Sequence, residues 1–515
     1  MTSPSDPRRS FTSRTPASEG SERTPYRRGF VTRHQVSGWR FMMRRIASGV
    51  ALHDTRMLVD PLRTQSRSVL VGALILVTGL AGCFVFSLIR PAGSAGTDAI
   101  LADRSTAALY VKVGEQLHPV LNLTSARLIA GRADNPTTVK TSELDQFPRG
   151  NLVGIPGAPE RMVQNTSRDA DWTVCDAVSG SSTGVTVLAG ELGTGGERAT
   201  TLAGDRAVLV SNGSGTWLLW NGRRSAVDLG NRPVTDALGI PAVDVTPRPI
   251  AAGLFNAIPE GPALVAPPVP EAGQPPQFAL PVPAPVGSVV SAFDADDTIR
   301  YYAVLPDGLQ PVSSVLASIL RNTNSYGLAQ PPRLAPDDIA RLPVSGTLDA
   351  DAYPAVRVSL VDASADPVTC AQWAKPVDAE QSSLTLLSGA ALPLPESLRT
   401  LDLVGAGNGV TADRVAIAPG SGYFVQTVGQ EPGSPTAGSL FWVSDTGVRY
   451  GIDQGGSSSP GDDTVAALGL SSPPLPVPWS VLAQFAAGPT LSRGDALLAH
   501  DTLQPDPSPV RLENP

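Results

Sequence analysis

Leu109–Leu128 reads LYVKVGEQLHPVLNLTSARL, and Tyr301–Leu320 reads YYAVLPDGLQPVSSVLASIL. Both pass from an apolar strand through a Gly-centred turn to a Pro-Val pair and then into a helical stretch. Similar tails follow, TVKTSELDQFPRG from Thr138 and PPRLAPDDIARLPVSG from Pro331. Ordered self-similarity of this kind is the mark of duplication, and it decides the fold.

Working outward, a second pair appears. Trp217–Leu229 reads WLLWNGRRSAVDL, then TDALGI from Thr235; Phe441–Asp453 reads FWVSDTGVRYGID, then TVAALGL from Thr464. Both continue through a Pro-rich bend into a short helix and a Gly-Pro turn, IAAGLFNAIPEGPAL from Ile250 and WSVLAQFAAGPTL from Trp479. All four stretches read as copies of one small α+β module. Two further stretches correspond between the modules. WTVCD from Trp172 leads on to DRAVLVSNGSGTWLLW from Asp205, and VTCAQWA from Val368 leads on to DRVAIAPGSGYFVQTV from Asp413. Their alternation and Gly-Ser turns predict strands that pack into one central domain.

Nine of the 24 residues in Pro262–Pro285 are Pro. That composition predicts an extended polyproline connector, spanning up to ~75 Å from one end of an elongated body to the other.

Upstream, Val69–Ile89 reads VLVGALILVTGLAGCFVFSLI, 21 residues without a charge. About 20 apolar residues cross a ~30 Å hydrocarbon core. A cleaved signal peptide fits poorly, because the stretch is long, begins 68 residues in and lacks a small-residue cleavage site. Residues 1–68 hold 13 Arg and no Lys against five acids, a net +8, so the remainder carries −16 of the total −8. The Arg-rich side stays in the cytoplasm, which puts the C-terminal body in the periplasm.

Residues 1–26 have the composition of a disordered tail. From Gln35 to Met57 the residues Trp39, Met42, Met43, Ile46, Val50 and Met57 recur at near-helical spacing, with Arg40, Arg44 and Arg45 among them. A basic amphipathic helix beside a span is expected to lie on anionic lipid or to dock on a cytoplasmic partner. Trp39, Arg40, Arg44 and Arg45 are the candidate contacts, and tethering speaks against nucleic acid.

The expected fold is therefore α+β. It has a cytoplasmic arm over 1–67, one transmembrane helix over 68–90, and modules over 98–160, 206–265, 299–357 and 439–505. Segments 161–205 and 358–428 form the β-rich centre, and 266–298 is the connector.

Cys83 lies in the span, while Cys175 and Cys370 occupy matching positions in the two central segments, each three residues from a Trp. Two cysteines in an oxidising space predict one disulfide, worth roughly 5 kcal/mol for so long a loop. A metal would need more ligands, and no His is near.

Catalytic signatures are scarce. Only His118 and His500 fall outside the cytoplasmic arm, neither with metal-ligand spacing. Gly180-Ser181-Ser182-Thr183-Gly184 matches GxSxG formally but sits in a Ser-rich turn without the strand-to-helix elbow. Asp294, Asp296 and Asp297 read as an exposed turn. A phosphate-binding loop needs Gly framing before Lys-Ser/Thr. Of Lys112, Lys140 and Lys375 only Lys140 precedes a hydroxyl residue, and Val139 stands where Gly is required. No catalytic residue, cofactor or metal site is predicted.

The block GFVTRHQVSGWRFMMRRIASGVALHDTRMLVDPLRTQSRS, the span, STAALYVKVGEQLHPVLNLTSARL, PVTCAQW, LVGAGNG, SLFWVSDTGVRYGID and GPTLSRGDALLAHD together closely resemble EccB. This is the membrane subunit of mycobacterial type VII (ESX) secretion systems. The juxtamembrane wording is most similar to the EccB of the iron-acquisition-linked system. The resemblance implies a structural core subunit of the inner-membrane complex, assembled with EccC, EccD and EccE and self-associating through periplasmic domains. Family usage also implies an ATPase, for which this chain lacks the motif. A peptidoglycan-binding or cell-wall hydrolase role is the remaining alternative.

Overall fold

The computed structural model describes residues 32–53, 61–89, 95–180, 182–241, 245–294, 297–407, 409, 411–453, 463–503 and 509. The tail expected to be disordered lies outside them. The chain divides into two units, Met1–Ala92 and Gly93–Pro515.

The first unit holds two helices. Helix α1, Arg33–Leu52, starts at a capping box in which Thr32 and Gln35 satisfy each other's backbone N–H groups. It ends where His53 turns left-handed, and Met57, expected to continue its stripe, lies outside the described residues. Helix α2, Pro61–Ile89, contains a stretch over Ser66–Val85 long and apolar enough to cross a membrane, with no residue of it buried. Among the described residues no other helix has that length and polarity.

The second unit contains four small sheets with the same connectivity. The first runs Ile100–Asp103, Leu109–Val113 and Gln116–Pro119 as an antiparallel meander, and Thr137–Val139 returns parallel to its opening strand. The second uses Arg206–Ser211, Thr216–Trp220 and Arg223–Ala226, with Arg248–Pro249 returning. In the third, Val289–Phe293, Ile299–Val304 and Leu309–Val312 are followed by a single parallel bridge from Arg333 to Ser291. The fourth has Tyr423–Val428, Leu440–Val443 and Val448–Ile452, with Leu475–Pro478 returning.

A helix separates meander from return strand every time: Leu123–Ala130, Arg232–Leu238, Ser314–Thr323 and Thr464–Leu468. The sequence dictates their ends. Asn122, Ser313 and Asp463 cap the N-termini through their side chains, and Gly131, Gly239 and Gly469 close three C-termini at positive φ.

The WTVC and TCAQW stretches lie side by side. Ala170–Ala177 and Val368–Lys375 are antiparallel neighbours in register, Trp172 opposite Trp373 and Cys175 opposite Cys370. They form the middle of a seven-stranded sheet whose hairpin partners are Gly184–Ala189 and Ser383–Gly389. Each Trp stands three positions from its Cys, an odd step along the strand, so the two pairs face opposite sides. The tryptophans enter a core shared with the second and fourth sheets, including Val208, Leu254, Val425 and Phe485. The cysteines enter a smaller core with Leu188, Leu387 and Leu392.

Order along the chain is not order in space. The first sheet packs on the fourth, Ile100 and Val111 meeting Trp442 and Leu468. The second packs on the third, Leu209 and Trp220 meeting Val315 and Ile319. Corresponding helices make both contacts: Leu123–Ala130 on Thr464–Leu468, and Arg232–Leu238 on Ser314–Thr323.

Two expectations shift. The strands Val289–Phe293 and Tyr423–Val428, assigned from sequence to the connector and the central segment, open the third and fourth sheets. The Pro-rich stretch is no straight rod. Gly273 donates to the Val286 carbonyl at 2.8 Å and Val286 donates back to Gln274 at 2.9 Å, closing a loop. Phe278, Leu280 and Val282, interleaved between the prolines, pack against Val290, Val304 and Leu309. Burying those side chains outweighs the solvation that favours an open polyproline helix.

Candidate functional site

On α1 the residues Trp39, Met43, Ile46 and Val50 fall at spacings of four, three and four, which lines them along one face. All are exposed, Trp39 by 64%. Met42 lies on the same side, and Arg40, Arg44 and Arg45 project from α1 at other angles. An exposed apolar stripe with a cationic flank is suited to a boundary between water and a less polar phase.

Cys175 and Cys370 are joined by a disulfide and fully buried. Beside them, Asp176 and Arg248 form a buried ion pair at 3.6 Å, 5% and 3% exposed. Arg248 also donates to Thr369 Oγ1 at 2.5 Å and to the Asp176 carbonyl at 3.1 Å, and Asp176 accepts from the Ala251 N–H at 3.0 Å. Burial pushes the Asp176 carboxyl up, against the pull of that N–H and of Arg248. Burial lowers Arg248 in turn. The group ties the return strand of the second sheet to both central strands. The terminal nitrogens of Arg248 are spent on protein partners, while its buried Nε has none among the described residues.

Two arginines that sequence reading passed over occupy equivalent places. Arg224 donates to the carbonyls of Phe255 and, at 2.6 Å, Ile258, while stacking on the Phe255 ring at 4.0 Å. Arg449 donates to the carbonyls of Ala483 (3.2 Å) and Phe485 and lies 5.4 Å from the Trp479 ring. Each clamps the carbonyl end of the short helix after a return strand, Ala252–Ala257 and Trp479–Leu482. The signal was present in NGRR and TGVR, where each Arg stands two residues after a turn Gly.

The residues weighed for catalysis are dispersed. His118 donates to the Asn151 carbonyl at 2.9 Å and His500 to the Gly154 carbonyl at 2.8 Å. Asp294 pairs with Arg300. Asp296 and Ser181 lie outside the described residues. Lys140 is the N-cap residue of the four-residue helix Thr141–Leu144, without a glycine loop before it. Among the described residues no group of three or more His, Cys, Asp or Glu is placed to hold a metal.

A profile described as "Type VII secretion system ESX-1, transport TM domain B" matches residues 28–505. The chain belongs to the EccB family. Within it, a protein of Mycolicibacterium smegmatis called ESX-3 secretion system ATPase EccB3 is 69% identical over 100% of this chain and 99% of its own length. The EccB3 of Mycobacterium tuberculosis is 65% identical over 98% and 96%. ESX-5 relatives stand at 37%, so the ESX-3 assignment suggested by the juxtamembrane block holds. A chain of an intact ESX-5 inner membrane complex matches with a TM-score of 0.73 at 36% identity, covering 95% of this chain and 100% of that one. A chain from an EccB3 dimer of the ESX-3 core complex matches with a TM-score of 0.70 at 66% identity over 78% and 100%. Like other EccB proteins, this chain is a part of type VII secretion machinery.

Proposed function

We propose that the chain is a scaffold subunit of an ESX-3 inner-membrane complex. Its arm and α1 are cytoplasmic, α2 spans the membrane, and the second unit stands in the periplasm. What supports this most is the match over 95% of the chain to a subunit of an intact ESX inner membrane complex. The +8 charge before the span favours the N-terminus inside. The self-association partner is a second copy of this chain, through the periplasmic unit. The other partners are EccC, EccD and EccE, with EccC carrying the motor.

The periplasmic unit is proposed to be four copies of one module around a disulfide-closed centre. Common strand connectivity, helix placement and the paired Arg224 and Arg449 clamps support that reading. In α1, Trp39, Arg40, Arg44 and Arg45 are proposed to hold the arm against lipid or a cytoplasmic partner.

The relatives' names carry the word ATPase. Phosphoryl transfer needs cations and backbone donors gathered round the phosphates, and none of Lys112, Lys140 and Lys375 follows a glycine-framed loop: Lys112 and Lys375 lie in strands and Lys140 caps a four-residue helix. The scaffold reading therefore assigns no ATP turnover to this chain. The test is affinity purification of the intact complex with subunit counting, alongside an ATPase assay of the purified chain. The chain is expected at fixed stoichiometry in the complex and inactive alone. Turnover that co-purifies stoichiometrically and vanishes on mutation of a defined residue would overturn the reading.

A further inference from the structure

A groove of about 660 Å³ opens where the segment entering the central sheet, the end of its strand Val368–Lys375 and the return strand of the fourth sheet converge. Its volume is that of an ordinary ligand site. Arg168 and Lys375 line it, and neither side chain has a hydrogen bond or ion pair to another described residue. No Asp or Glu is among the described residues that line it. Nearby Asp169 turns its carboxylate to the Val377 N–H at 2.8 Å.

The charged groups that line the groove, Arg168 and Lys375, are both donors. Thr166 and Thr436 add hydroxyls without described partners. A water-sized annex of about 10 Å³ continues past Lys375 and Thr436 and is lined by Trp373. Trp373 is 3% exposed, and its indole nitrogen has no hydrogen-bond partner. Glu431 also lines the annex but makes no ion pair with Lys375. A buried donor without an acceptor costs about 1–3 kcal/mol, which an entering oxygen would recover. Pro473 and Pro474 form another part of the lining. Proline has no N–H, so this part offers carbonyls and flat apolar rings. No aromatic face lines the main groove, which disfavours a sugar. An extended peptide suits it: N–H groups toward the proline carbonyls, small side chains on the rings, and carboxylates toward Arg168 and Lys375.

We propose that this groove is a binding site for a carboxylate-bearing extended segment of a partner protein, held by Arg168 and Lys375 and bedded on Pro473 and Pro474. The proposal rests on the groove alone and survives whether or not the scaffold reading does.

The probe is fluorescein-Gly-Ala-Ala-Ala-Glu with a free C-terminus, titrated by fluorescence polarisation against the full chain in detergent. Saturable binding is expected, weakened by about tenfold or more when Glu is replaced by Gln and the C-terminus amidated. Arg168→Gln with Lys375→Gln should cause a similar loss for the acidic peptide and little change for the amide. Rising salt should weaken the acidic peptide alone. Arg168→Gln alone, at an exposed position, guards against misfolding and should give a smaller loss in the same direction. Equal binding of acid and amide, or full binding by both variants, would overturn the proposal. So would stronger competition by a cell-wall stem peptide, L-Ala-D-Glu-diaminopimelate-D-Ala, than by the unlabelled probe, since the ligand would then be peptidoglycan.

Discussion

Arg449 reaches from the fourth sheet to carbonyls that would otherwise end a short helix inside the protein. Removing it leaves those acceptors buried and unpaired, so Arg449→Ala should cost about 2 kcal/mol by chemical denaturation. Cys175→Ser should cost about 2–5 kcal/mol, the range for native disulfides, and unfolding of the large unit with and without reductant measures it. Asp103 supplies a pH-dependent case. The Ser105 N–H, with hydroxyls of Thr141, Ser105 and Thr106, holds its carboxyl below the ordinary 3.8. Stability from a lowered carboxylate is present above the unfolded pKa and lost as pH falls through the folded one. Asp103→Asn should therefore reduce stability at neutral pH and flatten the loss below about pH 4. Stability that declines identically in both proteins on acidification would contradict this assignment. Of these residues only the cysteines were legible beforehand, because two matching positions in an oxidising space leave one partner each. Arg248 and Asp176 stood 72 residues apart, and nothing local announces a pair made by tertiary packing.

At the scale of elements, the strand-turn-strand-helix order was readable because its markers are local: Gly at turns, Asn, Ser and Asp at helix starts, alternating apolar residues between. The boundaries were less so. Tyr423–Val428 has the alternation of a central strand, and only its hydrogen bonds place it in the fourth sheet. The Pro-rich stretch misled for a related reason: composition reported the backbone's preference, while Phe278, Leu280 and Val282 decided the outcome by burial. Helix α1 carries its own prediction. Trp39→Glu, or Arg44→Glu with Arg45→Glu, should lower the yield of assembled complex while leaving the large unit folded. Native electrophoresis checks the yield and circular dichroism the fold. Undiminished complex from both variants would make the arm passive.

Across the whole molecule, the self-similar stretches of sequence suggested which segments correspond but not which touch. The first sheet meets the fourth and the second meets the third, a pairing set by the central strands running antiparallel through Cys175 and Cys370. No repeat alignment contains that information. The candidate partner surfaces were equally hidden, since Arg168 and the Pro473–Pro474 wall lie over 300 residues apart in the chain. Topology is testable directly: alkaline phosphatase fused after Pro515 should be active, and fused at residue 60 inactive. The central claim is that this chain holds a secretion complex together without driving it. Depleting it from cells and resolving the remaining ESX-3 subunits on native gels tests that most directly. The scaffold account predicts that secretion stops because the complex falls apart, with the motor subunit's ATP hydrolysis retained; a complex that stays assembled while secretion stops would contradict it.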